Sequence, residues 1–199
     1  MKIVGVGCGP GMLTEEAIAA ISRASLVYGS PRAIDLARSH IPGGCTVREI
    51  EDYKSLRTLP VDAVVLSTGD PMLAGLGYLE GEVIPGISSL QVTLARLHIP
   101  MTQISVVAAH GRDHDAAIRE TVAEISRGRT VFLLADPGFE VPHLAKHFLP
   151  PPPGLTITLC EQLGYPDERV VTGTPDAPPV PCNDLFVILV NPGAMRRSH

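Results

Sequence analysis

The chain has 199 residues, enough to bury a proper core as one large domain or two small ones. Hydrophobic residues make up 45% and charged residues 19%, a balance too apolar for intrinsic disorder. The net charge of −5 with dispersed basic residues argues against a nucleic-acid partner, and no apolar run approaches the roughly 20 residues that span a bilayer.

In chain order, Lys2–Val6 reads as a short buried strand that begins almost at Met1. That start leaves no room for a signal peptide, so a cytoplasmic location is expected. A glycine-rich turn follows, and Thr14 then serves as a plausible N-cap with Glu15 and Glu16 in the first helical turn, where the helix dipole favours acids. Ala17, Ile18, Ile21 and Ala24 keep helical spacing. Leu26–Tyr28 reads as a strand, Pro31–Arg38 as a proline-opened helix, Ala63–Leu66 as a buried strand and Ser88–Leu97 as a helix.

His98–Thr102 breaks this pattern, and a domain boundary is placed there. The expected division is residues 1–100, a mainly parallel α/β domain, and 104–199, a mixed α/β domain. In the second half, Ile104–Ala108 and Thr130–Leu134 read as strands, with helices at Asp115–Ser126 and Val141–Phe148. Pro150–Pro153 must be an external loop, since proline fits neither a helix interior nor a central strand. Leu155–Cys160, Arg169–Thr172 and Leu185–Val190 follow with no helix between them, which suggests antiparallel pairing. Cys8, Cys45, Cys160 and Cys182 form no C-x-x-C pair, so buried or half-buried free thiols are expected and no metal site.

Three loops carry the functional signal. In the first, Gly5-Val6-Gly7-Cys8-Gly9-Pro10-Gly11, the dinucleotide fingerprint fails because its last glycine position is Pro10. The P-loop reading fails for want of a following Gly-Lys-Ser/Thr, and Tyr28-Gly29-Ser30 offers no acid for a ribose. The second, Ser67-Thr68-Gly69-Asp70-Pro71, must leave a buried strand abruptly at its carboxyl end, where α/β proteins place ligands. In the third, Pro85-Gly86-Ile87-Ser88-Ser89, one serine caps a helix, or presents a hydroxyl and helix N–H groups to a ligand's carboxylate. Both possibilities stand on chemistry alone.

As an ordered set, Gly7–Gly11 with Leu13-Thr14, Gly69-Asp70-Pro71 and Pro85–Ser89 resemble the tetrapyrrole (corrin/porphyrin) methylase family, over essentially the whole chain. Ala109-His110-Gly111-Arg112, Glu161–Glu168 and Asp184–Val187 resemble the branch of that family that methylates C5 of cobalt-precorrin-7 in cobalamin biosynthesis. The first loop is shorter before Leu13-Thr14 than the common family pattern.

The resemblance implies two α/β domains with S-adenosyl-L-methionine bound in a cleft between them, usually within a homodimer, and S-adenosyl-L-homocysteine as the product. It implies cofactor contacts from Pro10, Thr68, Gly69, Asp70, Leu73, Ser88 and Ser89, and from Ala135, Leu163 and Gly164 in the second half. The substrate is then a cobalt-corrinoid small molecule. The chain, ending at His199, resembles a stand-alone enzyme working beside a separate C15-methyltransferase and decarboxylase. Family alternatives are another regiochemistry or diphthine synthase, whose substrate is a protein; an alternative of another class is a non-catalytic nucleotide-binding module.

The chemistry fits the absence of any hydrolase-like triad. A sulfonium methyl is already activated, so positioning and exclusion of water supply much of the acceleration. No general base is identified. Asp70 either faces the cofactor or stabilises its own turn. Arg112 and, more weakly, His110 are candidates for binding substrate carboxylates. Arg32, Lys54, Arg57 and Arg96 are expected on solvated surface.

Overall fold

The computed structural model describes residues 1–111 and 113–193. It divides by contact into two compact units, Met1–Val92 and Thr93–His199. Helix α3 (Ser89–Leu97) crosses that division, and the break expected at His98–Thr102 follows the helix.

In the first unit, β1 (Lys2–Gly5), β2 (Leu26–Gly29), β3 (Thr46–Glu49), β4 (Val64–Ser67) and β5 (Glu82–Ile84) form one sheet in the order β3-β2-β4-β1-β5, all parallel. Helices α1 (Glu15–Ile21) and α2 (Pro31–Ala37) cover one face, burying Ala17, Ile21, Ala33 and Ala37 against Val4, Val27, Val64 and Leu66. On the other face Ile3 and Val65 pack with Leu56, Leu76 and Leu79. Thr14 caps α1 by accepting the Ala17 N–H at 3.1 Å, and Ser30 caps α2 through the Ala33 N–H at 3.2 Å. Strand β3 is an addition to the expected elements. All four of its residues are exposed, so the buried alternation that marks a strand is missing from its sequence.

The second unit has β6 (Ile104–Ala108), β7 (Thr130–Leu134), β8 (Thr156–Glu161), β9 (Arg169–Gly173) and β10 (Phe186–Asn191) in the order β6-β7-β10-β8-β9. Only β6 and β7 run parallel; the three helix-free strands pair antiparallel, as their sequence spacing suggests. Helices α4 (His114–Ser126) and α5 (Val141–Lys146) pack Ile118, Ile125 and Leu144 onto Val131, Leu133, Ile157, Leu159 and Ile188.

Cys8, Cys45, Cys160 and Cys182 form no disulfide. Cys8 and Cys160 are buried and Cys45 is half-buried, but Cys182 is exposed, against the expectation for it. Burial pushes the Cys160 thiol up to about 11. Among the described residues no helix is long and apolar enough to cross a membrane, and no three His, Cys, Asp or Glu side chains group to hold a metal.

Candidate functional site

In the first unit the three loops leave the carboxyl ends of the neighbouring strands β4, β1 and β5, and they are tied to one another through backbone. The Gly69 N–H donates to the Gly7 carbonyl at 2.7 Å and the Gly7 N–H to the Gly69 carbonyl at 3.3 Å. The Cys8 N–H reaches the Ile87 carbonyl at 3.0 Å. Gly69 sits at φ +68°, the left-handed conformation that its place after a buried strand calls for. At Gly86 the chains approach so closely that a Cβ would overlap the Gly69 carbonyl oxygen and lie 2.8 Å from the Gly5 Cα.

Asp70 adds a side-chain strap. Its Oδ1 accepts the Met72 N–H at 2.8 Å and the Leu73 N–H at 3.4 Å, closing an Asx turn. Its Oδ2 reaches across to the Gly86 N–H at 3.1 Å. Both carboxylate oxygens are thus engaged by backbone donors, and the turn-stabilising role of Asp70 is realised.

Ser88 is the capping serine. Its hydroxyl accepts the Gln91 N–H at 3.2 Å and donates to Gln91 Oε1 at 2.8 Å, while Oε1 also accepts the Ser88 N–H at 2.7 Å. This is a capping box, and the Ser-x-x-Gln spacing in the sequence announces it. Ser89 is the first helical residue rather than the cap. Of the remaining first-unit candidates, Pro10 is exposed, and Thr68 and Leu73 are half-buried.

In the second unit the candidates follow the carboxyl ends of β6, β7 and β8, at one end of the sheet. The Ala109 and His110 N–H groups both donate to the Leu134 carbonyl, at 2.9 and 3.0 Å, which joins the β6 exit to the β7 exit beside Ala135. Phe186 opens β10 opposite Glu161, the last residue of β8, and the Gln162 N–H donates to the Leu185 carbonyl at 3.0 Å. Strands β7 and β8 both pair antiparallel with β10, so they point the same way. Ala135 and the Leu163-Gly164 loop therefore leave the same end of the sheet. Ala135 and Leu163 are buried, Gly164 is half-buried and His110 is exposed. Arg112 lies outside the described residues.

Two carboxylates organise this end: Asp136, which the sequence reading passes over, and Glu161, which opens the Glu161–Glu168 stretch. Asp136 accepts the Gly138 N–H at 3.0 Å, the Gly111 N–H at 3.3 Å and His114 Nε2 at 3.1 Å. Burial pushes its carboxyl up, but His114 and the two backbone donors outweigh that and hold it below the usual carboxylate range. The His114 ring also tilts against Phe139 at 5.2 Å. A cavity of about 380 Å³ opens here, walled by His114, Phe139, Glu140 and His143 among others. The available signal was Asp136-Pro137-Gly138 after a strand, the same turn chemistry as Gly69-Asp70-Pro71.

Glu161 is fully buried. It pairs with Arg169 and accepts the Cys182 and Asn183 N–H groups at 2.6 and 3.0 Å. Burial opposes its charge, yet these donors together keep its carboxyl lowered. Arg96 is exposed, as expected for it, and pairs with Glu168.

The sequence model of the family described as Tetrapyrrole (Corrin/Porphyrin) Methylases matches residues 2–178. The chain is 30% identical over 188 residues to a precorrin-6Y C(5,15)-methyltransferase (decarboxylating) of a Sinorhizobium species, covering 86% of this chain and 44% of that protein. It is 30% identical over 130 residues to a probable cobalt-precorrin-7 C(5)-methyltransferase of Methanocaldococcus jannaschii, covering 55% of this chain and 61% of the relative. The chain thus spans less than two thirds of either relative. The crystal structure of a cobalamin biosynthesis precorrin-6Y methylase from Archaeoglobus fulgidus superposes with a TM-score of 0.72 at 29% identity, over 96% of this chain and 97% of that one.

Proposed function

The chain belongs to the tetrapyrrole (corrin/porphyrin) methylase family, and from that premise we propose that it is an S-adenosylmethionine-dependent C-methyltransferase of corrin-ring biosynthesis, acting at C5 of cobalt-precorrin-7. The observation that carries this reading is the knot of small-residue loops at the carboxyl ends of β4, β1 and β5, locked through Gly7–Gly69 and Asp70–Gly86. The names of the two relatives and of the structural neighbour support the choice of ring and carbon.

The residues present suit this cofactor. The first-unit loops are rich in glycine, serine, threonine and proline, small residues that let a ligand approach the backbone, and a sulfonium needs no metal or buried charge to be held. The cofactor supplies an already activated methyl group. The protein's part is then to bind, orient and exclude water, which is what a rigid backbone cradle does. Thr68, Gly69, Leu73, Ser88 and Ser89 line the cradle in this reading, with Pro10 at its rim, and Asp70 holds the loops in register. Ala135, Leu163 and Gly164 are the cofactor contacts proposed for the second unit. His110 and Arg112 are the candidates for binding the carboxylates of a corrinoid substrate. A cytoplasmic homodimer functionally paired with C15 methylation and decarboxylation completes the proposal.

Calorimetric titration with S-adenosylhomocysteine, NAD and ATP tests the cofactor. Binding of the first alone is expected, and a response only to NAD or ATP overturns the reading in favour of a nucleotide-binding module. Incubation with the cobalt-corrinoid and NMR location of the new methyl then tests regiochemistry. Methylation at another carbon, or of a protein acceptor instead, moves the enzyme elsewhere in the family.

A further inference from the structure

The β8–β9 hairpin places the seven-residue loop Gln162–Glu168 between two strands locked at their base. Glu161 and Arg169 are register partners and also an ion pair, so the hairpin is closed by charge where the loop begins. The loop itself is two successive turns, with the Tyr165 N–H donating to the Gln162 carbonyl at 2.9 Å and the Glu168 N–H to the Tyr165 carbonyl at 3.0 Å. Gln162 sits at φ +50°, a conformation that costs a non-glycine residue about 1 kcal/mol or more and persists only where the surroundings impose it.

Glu168 braces this loop from its far end. Its carboxylate turns back into the loop and accepts the Gly164 N–H at 2.7 Å on Oε2. The same carboxylate receives Arg96 from the last turn of α3 in a fork, Nε to Oε1 at 2.5 Å and Nη2 to Oε2 at 3.2 Å. A single carboxylate therefore joins a distant guanidinium to the one backbone N–H that fixes the peptide between Leu163 and Gly164. The Glu168 side chain is only 19% exposed, so the charge-assisted bonds are partly shielded from solvent.

We propose that Arg96 and Glu168 are positioning residues for the cofactor: they hold the Leu163–Gly164 peptide in the orientation that receives S-adenosylmethionine. This rests on the proposed function, in which Leu163 and Gly164 touch the cofactor. Neither Arg96 nor Glu168 needs to touch it. Glu168→Ala frees the Gly164 N–H and releases Arg96. Glu168→Gln keeps the volume and an acceptor oxygen for Gly164 but loses the charge that Arg96 pairs with. Arg96→Gln removes the fork and leaves Glu168 in place.

The test is calorimetric affinity for S-adenosylhomocysteine, with KM and kcat for S-adenosylmethionine and thermal unfolding measured on the same preparations of the full chain. Glu168→Ala is expected to weaken binding about tenfold and to raise KM in proportion with kcat changed less than about twofold, the pattern of lost ground-state positioning. Glu168→Gln and Arg96→Gln are expected to weaken it about threefold each, and the double variant Arg96→Gln/Glu168→Gln by no more than the two combined. If wild type binds and all variants bind equally, the clamp is structural only and the inference fails while the proposed function stands. A fall in thermal midpoint with unchanged affinity of the folded protein overturns the inference in the same way. If wild type binds no S-adenosylhomocysteine, the proposed function fails and the clamp with it.

Discussion

The candidate loops of the two units are held by opposite means. In the first unit Ser67–Pro71 and Pro85–Ser89 are pressed together at glycines, with backbone bonds from Gly69 to Gly7 and one carboxylate, Asp70, strapping Gly86. In the second unit Gln162–Glu168 is held by carboxylates at both ends, Glu161 with Arg169 and Glu168 with Arg96. Close packing of backbone is indifferent to pH and ionic strength and intolerant of any added atom. A charge clamp tolerates small changes of shape but answers to protons and salt. One cradle is built for rigidity, the other for adjustable order.

Gly86→Ala should have the largest effect, because the new Cβ meets backbone atoms of Gly69 and Gly5 that cannot swing aside. A loss of about 3 kcal/mol is expected, by overpacking against three strands at once. Urea unfolding, with peptide-resolved hydrogen exchange to separate the units, measures it. Faster exchange should appear in the β1, β4 and β5 segments. A variant as stable as wild type breaks the contrast, since the first cradle would then have slack.

Glu161→Gln is the matching injury in the second unit. The side chain is fully buried, and an amide either turns an NH2 toward the Arg169 guanidinium or gives up the oxygen facing the Cys182 and Asn183 N–H groups. About 2 kcal/mol is expected, below the full cost of breaking a buried pair because Arg169 keeps partial solvent access. The exchange change should stay within β8, β9 and the segment near Cys182. Spread into the first-unit sheet would show that the two clamps are not independent.

The same contrast explains what the sequence revealed. Backbone locks need glycine and proline at fixed places, so Gly69-Asp70-Pro71 and Pro85-Gly86 were legible, as were the Thr14 cap and the antiparallel end of the second sheet. Strand β3 was not, because Thr46–Glu49 has no buried face and forms by pairing alone with β2. Charge clamps join residues that sequence does not bring together. Arg96 and Glu168 lie 72 positions apart, and nothing in either's neighbours marks the pair. Asp136 and His114 are intermediate: the Asp-Pro-Gly turn was visible, but its histidine partner depended on where α4 begins.

Asp70→Asn tests the charged strap on the first-unit loops. The substitution retains an acceptor for the Met72 N–H but sets an NH2 against the Gly86 N–H. About 1 kcal/mol of stability should be lost, the scale of one hydrogen bond. Affinity for S-adenosylhomocysteine should fall with it if the loops form the cofactor cradle. Unchanged stability and affinity would leave the glycine packing sufficient without the strap.

The smallest expected effect is also the most selective. Glu161, Glu168 and Asp136 all have carboxyls held below their ordinary range in the folded protein. For Glu168 the Arg96 hydrogen bond leads, with burial opposing and the Gly164 N–H adding to it. A depressed folded pKa contributes stability that is fully present above the unfolded value, near about 4.3 for glutamate, and is lost as pH falls through the folded value. Acidification below about pH 4 should therefore loosen Gln162–Glu168 before it loosens Ser67–Pro71. Raising salt to about 1 M at neutral pH should weaken the half-exposed Arg96–Glu168 pair while sparing Glu161. Hydrogen exchange, corrected for intrinsic rates, reads both effects. If the Gly164 amide keeps its protection at acid pH while the Gly69 amide loses it, the assignment of charge to one cradle and packing to the other is reversed.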